Sequence, residues 1–234
     1  IINTRMSITL VSLFLLAKIS FGSDFSSADS LFLEAKYTEA LERYEEILNE
    51  GTASPAMLLK MAYIEDGLEN FASSLFYLNA YFQKTGDRAT LTKIEELAAN
   101  NKLVGYNYSD IDIFFIFFKK YRHQIVLILL FLASLIVIKN VSNSRKNRKS
   151  ITFISLQLIV LIVTTISLNY EIPRKAILVT PNSLLMSGAS AGSEPIGLLE
   201  AGHRFTILEK GEVWSKVEWE GQSVYVKTNT LKLI

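Results

Sequence analysis

The chain has 234 residues, half of them hydrophobic, with a mean hydropathy of +0.27 and a formal net charge of +1. It has no cysteine, which excludes disulfides, thiolate metal sites and a cysteine nucleophile together; with only His123 and His203 as imidazoles, a histidine-built metal centre or triad has little material. The small net charge conceals a partition: acids outnumber bases 15 to 7 over residues 24–110, bases outnumber acids 10 to 2 over 111–175, and six acids face five bases beyond, so separate segments face separate surroundings.

The first apolar run, ITLVSLFLLA at 8–17, is too short to span hydrocarbon and leads into ISFGSD, where Ser20 and Gly22 are small residues two apart. That layout predicts a signal peptide over residues 1–22, with its start at Met6, and export of the chain beyond it. The competing reading is an uncleaved anchor or a buried core helix.

Residues 23–110 have a helical pattern, with aromatics at three and four spacing and few Gly or Pro inside the periodic stretches. An offset of 34 residues pairs Ala28 with Ala62, Tyr37 with Phe71, Ala40 with Ser74, Leu41 with Leu75 and Tyr44 with Leu78. Small residues recur where helices touch closely, and bulky ones recur where they fill the gap between neighbours. The segment resembles the tetratricopeptide family, with AKYTEALERYEEIL and LENFASSLFYLNAYF standing as the turn and second helix of successive units. It departs from that family at Ser74, where Ala is preferred, and at Leu78, where an aromatic is. Pro55 suits the start of the next unit's first helix, and ATLTKIEELAANNK a closing helix with a polar outer face. The resemblance implies a groove lined from the first helices by Phe25, Asp29, Phe32, Leu59, Tyr63 and Asp66, taking a partner's helix or extended segment. For each aromatic the alternative is burial in the core.

Residues 121–138 and 151–170 are apolar runs with Ser134, Gln157, Thr164 and Thr165 as the notable polar interruptions. At about 1.5 Å per residue the first gives roughly 27 Å of helix, close to the ~30 Å of a bilayer core. The loop at 139–150 carries Lys139, Arg145, Lys146, Arg148 and Lys149 and no acid, which predicts a transmembrane hairpin with a cytoplasmic bend and both long flanks outside. Lys119, Lys120 and Arg122 run against that rule at the outer end of the first run.

From 176 onward the texture turns to short β-rich runs with glycines at bends: AILVT, SLLMS, RFTILEK, VWSKVEW and SVYVK. In VWSKVEW, Val213, Ser215, Val217 and Trp219 share one face and Trp214, Lys216 and Glu218 the other. A small, half-open all-β barrel over 176–234 is expected. The order resembles a bacterial SH3 domain: Ser187, Gly188 and Ser190 match its opening loop, Gly202 its turn before a strand, and Trp214 and Val217 its tryptophan strand. Met186 and Ala189 stand where that family has Arg and Pro, and Val224 and Tyr225 where it has a Gly-Trp pair. Trp214 and Tyr225 are the candidate contacts for a sugar or peptide, with core packing as the alternative.

The whole order, export signal, all-α repeats, two transmembrane helices and an SH3-like barrel, resembles the BatE-type aerotolerance family. The resemblance implies a non-enzymatic scaffold in the bacterial inner membrane, its folded parts in the periplasm, working with membrane proteins bearing von Willebrand A domains. The alternative is an anchor on peptidoglycan through the SH3-like part. A hydrolase lacks a paired nucleophile and base, since His203 alone falls in the exported segments. No phosphate-cradling glycine loop and no cofactor motif occurs, and the basic cluster lacks the aromatic interleaving of a nucleic-acid surface.

Overall fold

A computed structural model describes residues 25–145, 151–169 and 174–234. The leader expected at 1–22 lies outside them, as do Lys146, Arg148 and Lys149 of the basic loop. The described residues form two compact units, one built from those up to Tyr106 together with Lys175–Ile234, the other from those within Asn107–Arg174.

In the first unit five helices succeed one another closely: α1 (25–33), α2 (Tyr37–Asn49), α3 (Pro55–Gly67), α4 (Phe71–Thr85) and α5 (Arg88–Asn100). Local chemistry sets several ends. Ser54 accepts a hydrogen bond from the Met57 amide in front of Pro55, so both N-terminal signals act at the start of α3. Gly86 ends α4 in the left-handed conformation at φ 73°, and Asp87 caps α5 through the Ala89 amide and the Thr90 hydroxyl. The recurring small residues Ala28, Ala40, Ala62 and Ser74 are all buried. The Ser74 hydroxyl donates to the Ala62 carbonyl at 3.0 Å, which is why a hydroxyl is tolerated between helices in close contact.

The C-terminal part of this unit is one antiparallel sheet of seven strands: β1 (Lys175–Leu178), β2 (Ser183–Met186), β3 (Pro195–Leu199), β4 (Arg204–Glu209), β5 (Trp214–Trp219), β6 (Gln222–Lys227) and β7 (Leu231–Leu233), with a 3₁₀ turn before β7. Their order is β3-β2-β6-β5-β4-β1-β7. Ala176, Leu178, Leu185, Phe205, Val217, Val224 and Val226 share one core, so the sheet curls over residues from five of its strands. β5 and β6 meet through the two-residue turn Glu220-Gly221, both at positive φ, the geometry that matches the twist of a hairpin. The expected alternation holds within β5: Ser215 and Val217 are buried and Trp219 packs on the core, while Glu218 is exposed. Val213, grouped with that face by periodicity, precedes the strand and is exposed.

The second unit is an antiparallel pair, α6 (Asp110–Arg145) and α7 (Ile151–Asn169). The expected first span, 121–138, corresponds to only half of α6. The helix starts eleven residues earlier because Ser109 and Asp112 bond reciprocally at its N-terminus, and it continues to Arg145 through most of the expected loop at 139–150. Over Asp110–Lys139 it is long and apolar enough to cross a membrane; Ser155–Asn169 is a shorter apolar helix. Arg122 Nη2 donates to the Leu168 carbonyl at the end of α7. A base at the outer end of the first run, unexpected from loop charges, therefore caps the neighbouring helix. Thr164 and Ser167 are buried on α7, and Thr164 returns its hydroxyl to the Val160 carbonyl.

Candidate functional site

α1 and α3 present an aromatic cluster. Phe32 lies 5.5 Å from Tyr37 and 6.0 Å from Tyr63, and Tyr37 lies 6.0 Å from Tyr63, all three pairs edge-on. Tyr63 is 60% exposed and Leu33 83%, so the cluster is a surface rather than a core. Beside it, the Asp29 carboxylate accepts from the Tyr44 hydroxyl at 2.5 Å and pairs with Lys60 at 2.7 Å, while the Lys60 ammonium lies 5.4 Å over the Phe32 ring. Burial pushes the Asp29 carboxyl up, but the bonds from Lys60 and Tyr44 and the Lys60 charge outweigh it and hold it below its ordinary value. The same arrangement drives the Tyr44 hydroxyl far up, first by burial and then by the adjacent carboxylate.

Of the residues expected in the groove, the structure brings Asp29, Phe32 and Tyr63 together. Leu59 is exposed one turn before Tyr63. Asp66, at the other end of α3, faces α5 and pairs with Lys93 at 3.5 Å. Phe25 is half-buried at the start of α1. Sequence reasoning misses Tyr37 and Lys60. Lys60 is the only base on α3 and sits one turn before Tyr63, a signal that periodicity alone does not rank; Tyr37 reaches the cluster because Ala35 turns the chain at φ 58°.

On the C-terminal sheet, Trp214 and Tyr225 are half-buried. Trp214 opposes Lys227, and Tyr225 opposes Lys216 on one side and Met186 on the other. Trp214 and Tyr225 are thus diagonal neighbours on the face turned away from the core, with two lysines beside them. Both expected residues therefore stand on one surface. Residues 185–232 match the bacterial SH3 domain family. The match begins inside β2 and ends inside β7, so β1, which lies between β4 and β7, is outside it. Comparison with curated proteins found no match.

The helices and the SH3 domain are not two beads on a string. Arg204, at the start of β4 and 3% exposed, donates through Nε to the Gly105 carbonyl at 2.6 Å and through Nη1 to the Asn79 side chain of α4 at 3.3 Å. The Tyr106 hydroxyl donates to the Gly202 carbonyl at 2.5 Å. At Gly202 (φ 106°) a Cβ would meet Leu103 at 2.7 Å, so the glycine supplies both the backbone conformation and the close approach. On the other side Lys232 of β7 lies 4.2 Å over Phe76 and 5.0 Å over Tyr77 of α4. Burial lowers the Lys232 pKa, against the pull of Glu45 and Glu65, and burial raises that of Glu65. A cleft of about 180 Å³ opens at this junction, lined among others by Gly105, Lys175, Arg204, Trp219 and Glu220. Nothing in the sequence pattern announces the junction, because its partners are about a hundred residues apart.

Proposed function

We propose that the chain is a non-catalytic, membrane-anchored scaffold of the BatE type, with tetratricopeptide-like repeats in α1 to α5 and an SH3 domain, both in the periplasm. The observation that carries this reading is the junction. Residues 25–106 and the SH3 domain belong to one compact unit, so they occupy one compartment, and the 107–174 segment between them crosses a membrane an even number of times. With α6 apolar over 30 residues and α7 antiparallel to it, two crossings with the basic bend inside is the reading the charge pattern supports. The aromatic cluster with Asp29 and Lys60 is then the contact for a membrane-protein partner, for which proteins with von Willebrand A domains are the class suggested by the family resemblance.

A compartment reporter fused after Asn100, within Ser142 to Ser144, or after Ile234 tests the arrangement: the outer two fusions report outside and the middle one inside. A middle fusion outside, or outer fusions on opposite sides, sinks it. A photo-crosslinking residue at Tyr63, compared with one at exposed Glu42 on α2, tests the contact; equal labelling from both positions removes the groove from the proposal.

A second reading has its own support. The bacterial SH3 match, with Trp214 and Tyr225 side by side on the outer face, favours peptidoglycan as a ligand of the SH3 domain. Sedimentation of the full chain in detergent with purified wall, with and without Trp214→Ala, separates this reading from the first.

A further inference from the structure

His203 stands between Gly202 and Arg204 at the entry to β4, and its Nδ1 accepts a hydrogen bond from the Val104 amide at 3.1 Å. An imidazole that accepts at Nδ1 is neutral and carries its proton on Nε2. The ring stands edge-on to Trp219 at 5.2 Å, which fixes its orientation. Val104 is held at both backbone groups, since its carbonyl accepts from the Arg204 amide at 3.0 Å. The linker that leaves α5 is thereby docked on the SH3 domain as if it were a short extra strand.

We propose that His203 is a pH-operated latch that holds this linker against the SH3 domain while neutral and loosens it when protonated. An imidazolium has an N–H on both nitrogens, so it cannot accept from Val104 and turns a donor toward a donor. The charged groups facing it are Glu200, ahead of β4, and Glu220, in the β5–β6 turn; the adjoining cleft adds Lys175 of β1, Glu218 of β5 and Arg204 itself. Burial opposes the charged form, Glu200 and Glu220 favour it, and burial wins, so the group titrates below its ordinary 6.5. A depressed folded pKa means that the latch's contribution is fully present above the unfolded value and is lost as pH falls through the folded one. The bonds of Tyr106 to Gly202 and of Arg204 to Gly105 do not involve the imidazole, so opening is confined to the linker around Val104 while the lobes stay joined. The inference does not depend on what either lobe binds.

The test uses the isotope-labelled full chain in detergent micelles, following the His203 imidazole and the Val104 amide by NMR between neutral and mildly acid pH. We expect both to titrate with one midpoint, and Val104 exchange protection, corrected for intrinsic chemistry, to fall about tenfold, while Ile207 and Val217 in the sheet keep theirs. In His203→Asn, whose Oδ1 stands at the position of Nδ1 and accepts without titrating, Val104 protection stays level. The latch is overturned by a Val104 amide that ignores the His203 titration, by the same acid loss in His203→Asn, or by loss of protection at Ile207 and Val217 together with Val104.

Discussion

The guanidinium of Arg204 lies 4.9 Å over the ring of Tyr106 while its Nε bonds the Gly105 carbonyl, so one side chain of the SH3 domain grips two consecutive residues of the linker from α5. Two charge-assisted hydrogen bonds and a cation–π contact converge on a group almost wholly out of water. Arg204→Ala is expected to cost about 3 kcal/mol, the sum of two such bonds at their usual strength. Arg204→Lys restores less than half of it, because an ammonium cannot fork between Gly105 and Asn79. Both tryptophans lie in β5, so the urea midpoint of tryptophan fluorescence reads this unit directly.

A second prediction concerns the way the chain is cut. The first unit is assembled from two separate stretches, and Gly105 and Lys175, near the two points of departure, line the same cleft. Replacing 107–174 by about six Gly and Ser residues, which reach roughly 13 Å, closes the gap without strain. The product is expected to be soluble without detergent and to keep the Arg204 and Tyr106 bonds, seen as slow exchange of the Arg204 amide. Aggregation, or two lobes tumbling independently by NMR relaxation, counts against a single fused body.

How far the sequence reached depended on the range of the interactions. The helical run, the short strands and the division of β5 into two faces are legible, because periods of 3.6 and 2 are local signals. The offset of 34 residues picked out Ala28, Ala40, Ala62 and Ser74, all of them buried. The helix that contains the expected span extends beyond it at both ends, because hydropathy marks the apolar stretch while the Ser109–Asp112 bonds set where α6 begins. The junction escaped entirely: Tyr106 with Gly202, Val104 with His203 and Lys232 with Phe76 have no periodicity to betray them. Two segments that composition treats as separate domains are one body through contacts that only three-dimensional proximity reveals.

Glu65 gives a third prediction. It is 5% exposed, and burial raises its pKa above the ordinary 4.5, reinforced by Glu45 and opposed by Asn70, Lys232 and Ser73. A raised folded value means the favourable contribution is complete below the unfolded pKa and is lost as pH rises through the folded one. Glu65→Gln keeps an uncharged group in place at neutral pH, so its urea midpoint is expected to exceed that of the parent at neutral pH. The advantage shrinks toward zero once the pH falls below the ordinary carboxyl value of 4.5. An advantage that is the same at both pH values places the effect in packing rather than ionisation.

The aromatic cluster separates stability from recognition. Tyr63 makes two edge-on contacts yet is mostly exposed, so Tyr63→Ala is expected to cost about 1 to 2 kcal/mol, near the lower range for two aromatic pairs. Lys60→Gln removes the partner of Asp29 and the cation over Phe32 while leaving the helix intact. If the cluster is a docking surface, both substitutions lower photo-crosslinking from a neighbouring groove position such as Leu59 several-fold, although they differ in stability. Crosslinking that follows stability instead makes the cluster a structural brace.

The last prediction concerns the second unit, where the Arg122 guanidinium on α6 reaches the Leu168 carbonyl on α7. For antiparallel helices, that contact puts Val126 of α6 at about the level of Thr164 of α7, which is buried. The parent has no cysteine, so a Val126→Cys, Thr164→Cys double variant gives a clean crosslinking probe in membranes. With Arg122 present the pair is expected to oxidise rapidly. Arg122→Leu leaves the Leu168 carbonyl in the last turn of α7 without its charged donor, and if the pair spans a membrane as proposed an unsatisfied backbone group there costs several kcal/mol. The helix end then frays or shifts, and crosslinking slows several-fold. Arg122→Lys, which keeps a positive charge at the helix C-terminus, recovers most of the rate if the charge dominates and little if the reach of the guanidinium does.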